Sequence, residues 1–180
     1  RDRRPSRGLG DVYKRQKPNR AHYALAKLER ALRLTAVVTQ NIDGLHQLAG
    51  SRNVYELHGS IYRNHCMECG KSYTVEQLKD MPNVPICGCG GGIKPDVVLY
   101  EEGLDADTLR AAITHITRAD MLIVGGTSLN VYPASGLIDY YKGNKLALIN
   151  KSETPYDYRA DLIINDSIGM ALDKATEGLE

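Results

Sequence analysis

The chain has 180 residues, a formal net charge of +1 and a hydrophobic fraction of 42%. This length suits one domain with a small insert and is sufficient for a real hydrophobic core. The near-zero net charge argues against a basic nucleic-acid-binding surface and against an acidic tail for a basic partner. No apolar run approaches about twenty residues and no signal-peptide pattern is present, so we expect a cytoplasmic protein without a membrane or nucleic-acid partner.

The first sixteen residues, RDRRPSRGLGDVYKRQ, differ in composition from the rest. They contain six Arg or Lys residues, no apolar periodicity, and Pro and Gly where neither a helix nor a strand would favour them. One interpretation is a basic nucleic-acid-binding arm, and the other is a disordered or foreign leader. The abrupt change favours a leader over residues 1–16, with the folded chain beginning near Lys17.

Helical and strand patterns alternate along the rest of the chain. Apolar residues at helical spacing predict a first helix that begins within Lys17–Arg20 and runs to Leu32, and further helices at 105–119, 133–141 and 168–175. Apolar runs predict strands at 35–38, 54–57, 61–64, 94–100, 121–124, 146–149 and 162–164. The run at 121–124 is apolar at every position, which is typical of a parallel strand buried on both faces. The alternation predicts a doubly wound, Rossmann-like α/β fold with helices on both faces of a parallel sheet.

All cysteines of the chain fall in one block. Cys66 and Cys69 are separated by two residues, and Cys87 and Cys89 by one, with seventeen residues between the two pairs. Two closely spaced pairs supply the four soft ligands of a structural zinc site, and four thiolates leave no position open for catalysis. Disulfides and a redox Cys-x-x-Cys motif are the alternatives. A Cys3His site in which His65 replaces one thiolate would be closed in the same way.

Polar residues follow several predicted strands. The run TQNIDGLH occupies residues 39–46, and ELHG places His58 after the next predicted strand. Ligands in open α/β sheets bind beyond the carboxyl ends of strands, so these residues can line a pocket. Asn41, Asp43 and Gly44 are equally suited to forming only a tight turn, and a single histidine is often structural.

A second polar group follows the later strands. Gly125-Gly126-Thr127-Ser128 ends the run at 121–124, and Asn150 follows the run at 146–149. A glycine turn with free amides and hydroxyls can hold phosphate or ribose, and the Asn150 side chain can bond a ribose hydroxyl. Both segments also fit plain turns. In a parallel sheet, these strand ends and TQNIDGLH would converge on one crevice.

Taken in order, these motifs resemble those of the sirtuins, the NAD-dependent protein deacylases, and in particular the bacterial type. The resemblance extends from Lys17 to the C-terminus and is carried by KPNRAHYALAKLE, VTQNIDGLHQLAG, ELHGS, the two cysteine pairs, KPDVVLYEE, GTSLNVYPA, LIN and DLIIND-SIG. It implies a Rossmann-like NAD-binding domain over 17–64 and 93–180 and a small zinc-ribbon module over 65–92. It also implies that NAD and an acyl-lysine protein or peptide bind, with one structural zinc ion.

The resemblance further implies a role for each matching residue. His58 would act as the general base that takes a proton from a ribose hydroxyl, after the acyl oxygen has displaced nicotinamide. The products would be free lysine, nicotinamide and O-acyl-ADP-ribose, with acetyl as the expected acyl group. The implied NAD contacts are Gln40, Asn41, Ile42, Asp43, Gly126, Thr127, Ser128, Asn150, Lys151, Ser152 and Ile168. The implied substrate strand, which would pair with the peptide backbone, consists of Val97, Val98, Leu99 and Tyr100.

The chain departs from the family pattern at two places. Tyr100-Glu101-Glu102 stands where the family has Phe-Gly-Glu, which puts peptide contacts at Glu101 in question. No Gly-Ala-Gly-x-Ser phosphate turn precedes Lys17, so we expect a truncated sirtuin without its first strand and most of its pyrophosphate cradle. The alternative hypothesis is a non-catalytic, zinc-stabilised α/β fragment with at most weak nucleotide or peptide binding. A nucleic-acid-binding zinc ribbon is disfavoured, because Lys71 and Lys79 do not form a basic stripe.

Overall fold

A computed structural model describes residues 16–82, 84–99, 101–130 and 134–179. The described chain forms two compact units. The cysteine unit comprises mainly Asn41–Gly44 and His58–Leu104, and the predicted module of residues 65–92 lies inside it. The sheet unit comprises Pro18–Gln40, Leu45–Leu57 and the residues from Asp105 onward. No described helix is long and apolar enough to cross a membrane.

The first helix of the sheet unit, α1 (Arg20–Arg30), begins at a reciprocal cap. The Asn19 side chain accepts the N–H of Ala21 at 2.9 Å, and the Asn19 N–H donates to Nδ1 of His22 at 3.2 Å. The helix ends before the predicted Leu32, which has a φ of 55° and is 91% exposed. The N–H groups of the next two residues donate back to the Leu28 carbonyl, so the chain reverses direction there. The prediction that Leu32 belongs to the buried face is therefore wrong.

Parallel strands form the centre of the sheet unit, as predicted. One pair joins β1 (Val37–Thr39) to β2 (Val54–Glu56). A three-stranded parallel sheet has the order β6-β7-β8. The strands of this sheet are β6 (Leu122–Gly125), β7 (Leu146–Ile149) and β8 (Leu162–Ile164). The other helices of the unit are α2 (Leu45–Leu48), α4 (Ala106–Arg118), α5 (Ile168–Ala175) and two 3₁₀ helices over Ala134–Tyr140 and Asp157–Arg159. Helices α1 and α5 pack on this sheet through Ala21, Ala24, Ile149 and Leu172.

The burial of the three strands depends on their position in the sheet. Strand β7 is buried at all four positions, because it has a hydrogen-bonded neighbour on each side. Strand β6 is only half-buried, and Met121 before it is 48% exposed. The prediction that residues 121–124 are buried on both faces is therefore wrong. A run that is apolar at every position correctly indicates the burial of β7, whereas β6 has the same pattern and is only half-buried.

The cysteine unit is an antiparallel sheet with the order β4-β3-β5. It consists of β3 (Gly59–Cys66), β4 (Ser72–Thr74), β5 (Ile93–Val97) and the short helix α3 (Val75–Lys79). No regular element was predicted between the cysteine pairs, so β4 and α3 are additions from the structure. The signal for α3 is present in the sequence, because Thr74 and Gln77 form a capping box around its first turn.

Glu29, near the end of α1, fixes the loop that leads into β2. Its two carboxylate oxygens accept the N–H groups of Arg52 and Asn53, each at 2.8 Å. The Asn53 carbonyl in turn accepts the N–H of Val37, the first residue of β1, at 2.9 Å. One half-buried carboxylate therefore aligns the starts of both strands.

Replacing Glu29 with alanine should destabilise the protein by about 2 kcal/mol, because two charge-assisted hydrogen bonds to backbone groups are lost. The free energy of unfolding measured by urea titration tests this. Glu153→Ala, at an exposed loop position, is the matched control and should change stability little. Equal stabilities of the two variants would contradict the assigned role of Glu29.

Candidate functional site

Several predicted NAD contacts lie together at one edge of the β6-β7-β8 sheet. Gly126 follows β6 and donates its N–H to the Ile149 carbonyl at 3.1 Å. Asn150 follows β7, donates its N–H to the Ile164 carbonyl at 3.1 Å, and holds the Ser152 carbonyl through its side-chain amide at 2.9 Å. Because the three strands are parallel, their carboxyl ends share this edge.

Glycine allows close packing at the same edge. A Cβ atom at Gly125 would lie 2.3 Å from Cδ1 of Ile168, the first residue of α5. The turn that follows has left-handed backbone at Gly126, with φ 65°, and at Leu129, with φ 54°. Thr127 stabilises it by accepting the Leu129 N–H at 3.2 Å. The turn buries Leu129 and leaves Gly126 and Ser128 exposed, and Lys151 and Ser152 after β7 are exposed as well.

The boundary between the two units falls between Gln40 and the NIDG segment, residues 41–44. Gln40 directly follows β1 and belongs to the sheet unit, whereas Asn41, Ile42 and Asp43 belong to the cysteine unit. The Ile42 carbonyl accepts the Ile61 N–H of β3 at 3.1 Å. Gly44 has a φ of 65°, and a Cβ atom there would lie 2.9 Å from the ring of Tyr62. The segment is thus a turn held against β3, and its role in binding stays a prediction.

His58 lies at the start of β3, next to the end of β5. Its carbonyl accepts the Val98 N–H at 3.1 Å, and Gly59 is paired in register with Val97. Gly59 has a φ of 76°, and a Cβ atom there would lie only 1.8 Å from the Asp96 carbonyl oxygen. The half-buried His58 is therefore fixed beside the residues predicted to pair with a peptide.

The predicted peptide strand is already partly bonded within the chain. The Leu99 N–H donates to the Glu102 carboxylate at 3.0 Å, which also pairs with Nζ of Lys94 at 2.9 Å. The Leu99 N–H and the Lys94 ammonium lower the pKa of Glu102. Tyr100 lies outside the described residues. The Val98 N–H already donates to the His58 carbonyl. An added peptide would therefore bond other backbone groups or displace the Glu102 carboxylate from the Leu99 N–H.

Glu101 occupies the position where the resembling family has glycine. Its φ is 70°, in the left-handed region that glycine adopts most readily. The backbone conformation expected for glycine is thus kept although the residue differs. The exposed Glu101 side chain adds a carboxylate beside the predicted peptide strand.

The four cysteines converge as their spacing predicts. Cys66, Cys69, Cys87 and Cys89 are free thiols, and their sulfur atoms all lie within 4.8 Å of one another. Sγ of Cys66 is 3.5 Å from that of Cys89, and Sγ of Cys69 is 3.6 Å from that of Cys87. Tetrahedral Zn–S bonds of about 2.3 Å place sulfurs about 3.8 Å apart, so the cluster fits a zinc ion. His65 is not in the cluster, because neighbouring side chains of β3 point to opposite faces.

Hydrogen bonds shift the pKa values of two thiols in this cluster in opposite directions. The backbone N–H of Cys89 and the hydroxyl of Tyr73 lower the pKa of Cys87 to about 6. The pKa of Cys89 is raised to about 12, because its sulfur neighbours on Cys87, Cys66 and Cys69 outweigh the favourable N–H of Gly91. The bond to Cys87 also raises the pKa of Tyr73 to about 12, so its hydroxyl remains a donor. A bound cation would remove the conflict between adjacent thiolates.

Comparison with known proteins decides the family. The sequence profile of the Sir2 family matches residues 9–133. The chain belongs to the Sir2 family. The match begins inside the stretch predicted to be a leader.

Similar proteins and structures cover most of the chain. An NAD-dependent protein deacetylase of Clostridium acetobutylicum is 63% identical over 164 residues, which are 90% of this chain and 67% of that protein. A protein of the same name from Clostridium tetani is 59% identical over 170 residues, covering 93% of this chain and 69% of that protein. A solved Sir2–p53 peptide–NAD+ structure is 43% identical with a TM-score of 0.85, covering 92% of this chain and 72% of that one. The Sir2 identification and the α/β fold of the sequence analysis are thus confirmed.

Tyr73 is a site residue that the sequence analysis did not identify. Its hydroxyl donates to Sγ of Cys87 at 3.0 Å, and its side chain is only 8% exposed. The alternation of exposed Ser72, buried Tyr73 and exposed Thr74 is a strand signal, but three residues are too few to establish a period.

Replacing Gly59 with alanine should destabilise the protein by about 3 kcal/mol or more, because a left-handed backbone is combined with a clash against Asp96. Gly70→Ala is the matched control, since Gly70 has a φ of 69° and no atom within 4 Å of its Cβ position. That control should cost only about 1 kcal/mol. Chemical denaturation measures both, and equal losses would contradict the proposed close approach at His58.

Proposed function

We propose that this chain carries out the NAD-dependent removal of acyl groups, acetyl foremost, from protein lysine side chains. The observation that carries the proposal is its membership of the Sir2 family, with relatives of 63% and 59% identity named NAD-dependent protein deacetylases. The reaction consumes acyl-lysine, NAD and water. It yields free lysine, nicotinamide and O-acyl-ADP-ribose.

We assign the general base to His58. An imidazole can accept a proton near neutral pH and is commonly used for this purpose in catalysis. In the proposed reaction, NAD supplies the ADP-ribosyl group that accepts the acyl group, with nicotinamide as the leaving group. His58 takes a proton from a ribose hydroxyl and so allows that oxygen to attack the acyl carbon. The bond from its carbonyl to Val98, together with the close approach at Gly59, supports this role by fixing the backbone of the base.

The proposed NAD contacts come from three segments. Gln40, Asn41, Ile42 and Asp43 are assigned to the nicotinamide and its ribose. The exposed turn at Gly126, Thr127 and Ser128 presents backbone groups and hydroxyls to the cofactor. Asn150, Lys151, Ser152 and Ile168 are assigned to the adenosine end. The assignment of this turn and of Asn150 is supported by their position after the carboxyl ends of β6 and β7, because ligands bind at such edges of parallel sheets.

We propose that Cys66, Cys69, Cys87 and Cys89 hold one structural zinc ion. The support is the mutual distance of their sulfur atoms, within 4.8 Å, and the chemistry of four thiols, which are the preferred ligands of closed zinc sites. Four protein ligands complete a tetrahedron and leave no position for water or substrate. The ion would therefore stabilise the cysteine unit and take no part in the acyl transfer.

The activity is tested by incubating the chain with NAD and an acetyl-lysine peptide, while nicotinamide and deacetylated peptide are measured. We expect both products, and we expect His58→Ala to reduce the rate by about 10²-fold or more through loss of the base. His115→Ala is the matched control, because His115 contacts Tyr55 on β2 and has no assigned role in the reaction. Retained activity in folded His58→Ala would overturn the assignment. Absence of products with the unaltered chain would favour a non-catalytic fragment.

The metal prediction is one zinc ion per chain in protein purified under reducing conditions, measured by elemental analysis. A strong chelator should remove the ion and abolish the structure of the cysteine unit, seen as lost hydrogen-exchange protection in β3, β4 and β5. Cys69→Ser should lower zinc content, whereas Ser72→Ala, at an exposed position close by, should not. Metal-free protein with intact protection in these strands would contradict the proposed site.

A further inference from the structure

Tyr73 is held rigidly against the cysteine cluster by the strand that carries it. Strand β4 pairs with β3, with Tyr73 opposite Asn64. The next residue, Thr74, caps α3, so the backbone of Tyr73 is constrained on both sides. Its ring packs with Cys66, Cys87 and Ile93 in the core of the unit. Strand pairing and packing therefore hold the Tyr73 hydroxyl against Sγ of Cys87.

The sulfur that Tyr73 contacts is one that water cannot easily solvate. Cys87 is 5% exposed, whereas Cys69 and Cys89 lie at the exposed side of the cluster. Four thiolates around one divalent cation carry a net charge of −2, so each sulfur is stabilised by hydrogen-bond donors. An exposed sulfur can receive such bonds from water. The buried Cys87 sulfur depends on donors of the protein, and the Tyr73 hydroxyl at 3.0 Å is one of them.

We propose that Tyr73 is a positioning residue of the metal centre, whose hydroxyl holds the Cys87 sulfur in its ligand position and slows the loss of zinc. This inference rests on the proposed zinc site. Groups that hydrogen-bond to metal ligands commonly contribute about 10- to 100-fold to metal affinity. The Lys71 ammonium lies 5.4 Å from the centroid of the Tyr73 ring, and such a cation strengthens the phenol as a donor.

The test is Tyr73→Phe, which removes the hydroxyl and keeps the ring that fills the core. Zinc release from the full chain to a colorimetric chelator under reducing conditions is the readout, together with zinc content. We expect one zinc per chain and release roughly tenfold faster than in the unaltered chain. Tyr158→Phe, at a tyrosine that is 83% exposed, is the matched control and should release zinc at the unaltered rate.

A second readout separates the hydrogen bond from a general loosening of the fold. In cobalt-substituted protein, the sulfur-to-cobalt charge-transfer band should move to lower energy in Tyr73→Phe, because a sulfur without its donor gives up electrons more easily. If this variant loses metal during purification, reloading with cobalt and chelator competition gives its affinity. Equal release and equal affinity in Tyr73→Phe and the unaltered chain would overturn the inference. An unaltered chain that binds no zinc would instead overturn the proposed metal site.

Discussion

The cysteine unit depends on four sulfur atoms being held within 4.8 Å of one another. Two of the cysteines, Cys66 and Cys87, are themselves members of its small buried core, beside Tyr73 and Ile93. Strand β4 has three residues and α3 has five, and elements this short are not stable alone. The sulfur cluster therefore adds to a core that is small for this stretch of sequence. Thiols crowded to this degree repel one another once ionised, and the proposed zinc ion at their centre would offset that repulsion.

Strand β3 connects that cluster to the candidate base. It begins at Gly59, directly after His58, and ends at the ligand Cys66. Pairing with β4 on one side and β5 on the other fixes the register of β3. Loss of the sulfur cluster would release the end of β3 that carries Cys66, while the hydrogen bond from the Val98 N–H to the His58 carbonyl would still hold the other end. The proposed metal ligand Cys66 and the proposed base His58 are thus joined by one strand.

The parts of this structure that the sequence predicts are those with strong local signals. The capped helix α1, the apolar strand β7 and the convergence of the cysteine pairs follow from periodicity and spacing. The burial of β6 does not, since it depends on how many neighbours a strand has in the sheet. Leu32 fits the apolar spacing of α1, yet the chain turns before it, and only the hydrogen bonds to Leu28 reveal this. The local sequence pattern does not predict the contact of Tyr73 with Cys87 either, because strand pairing brings the two residues together.

The loop after β5 folds back on the residues proposed to bind a peptide. Glu101 accepts a left-handed backbone, which costs a non-glycine residue about 1 kcal/mol, and this conformation brings Glu102 back onto Leu99 and Lys94. The Glu102 carboxylate thus occupies the Leu99 N–H, two residues beyond the end of β5, which a peptide carbonyl could otherwise accept. If the proposed peptide bonds the Leu99 N–H, its carbonyl has to replace the Glu102 carboxylate there. The ion pair between Lys94 and Glu102 would oppose that replacement, because it holds the carboxylate in place.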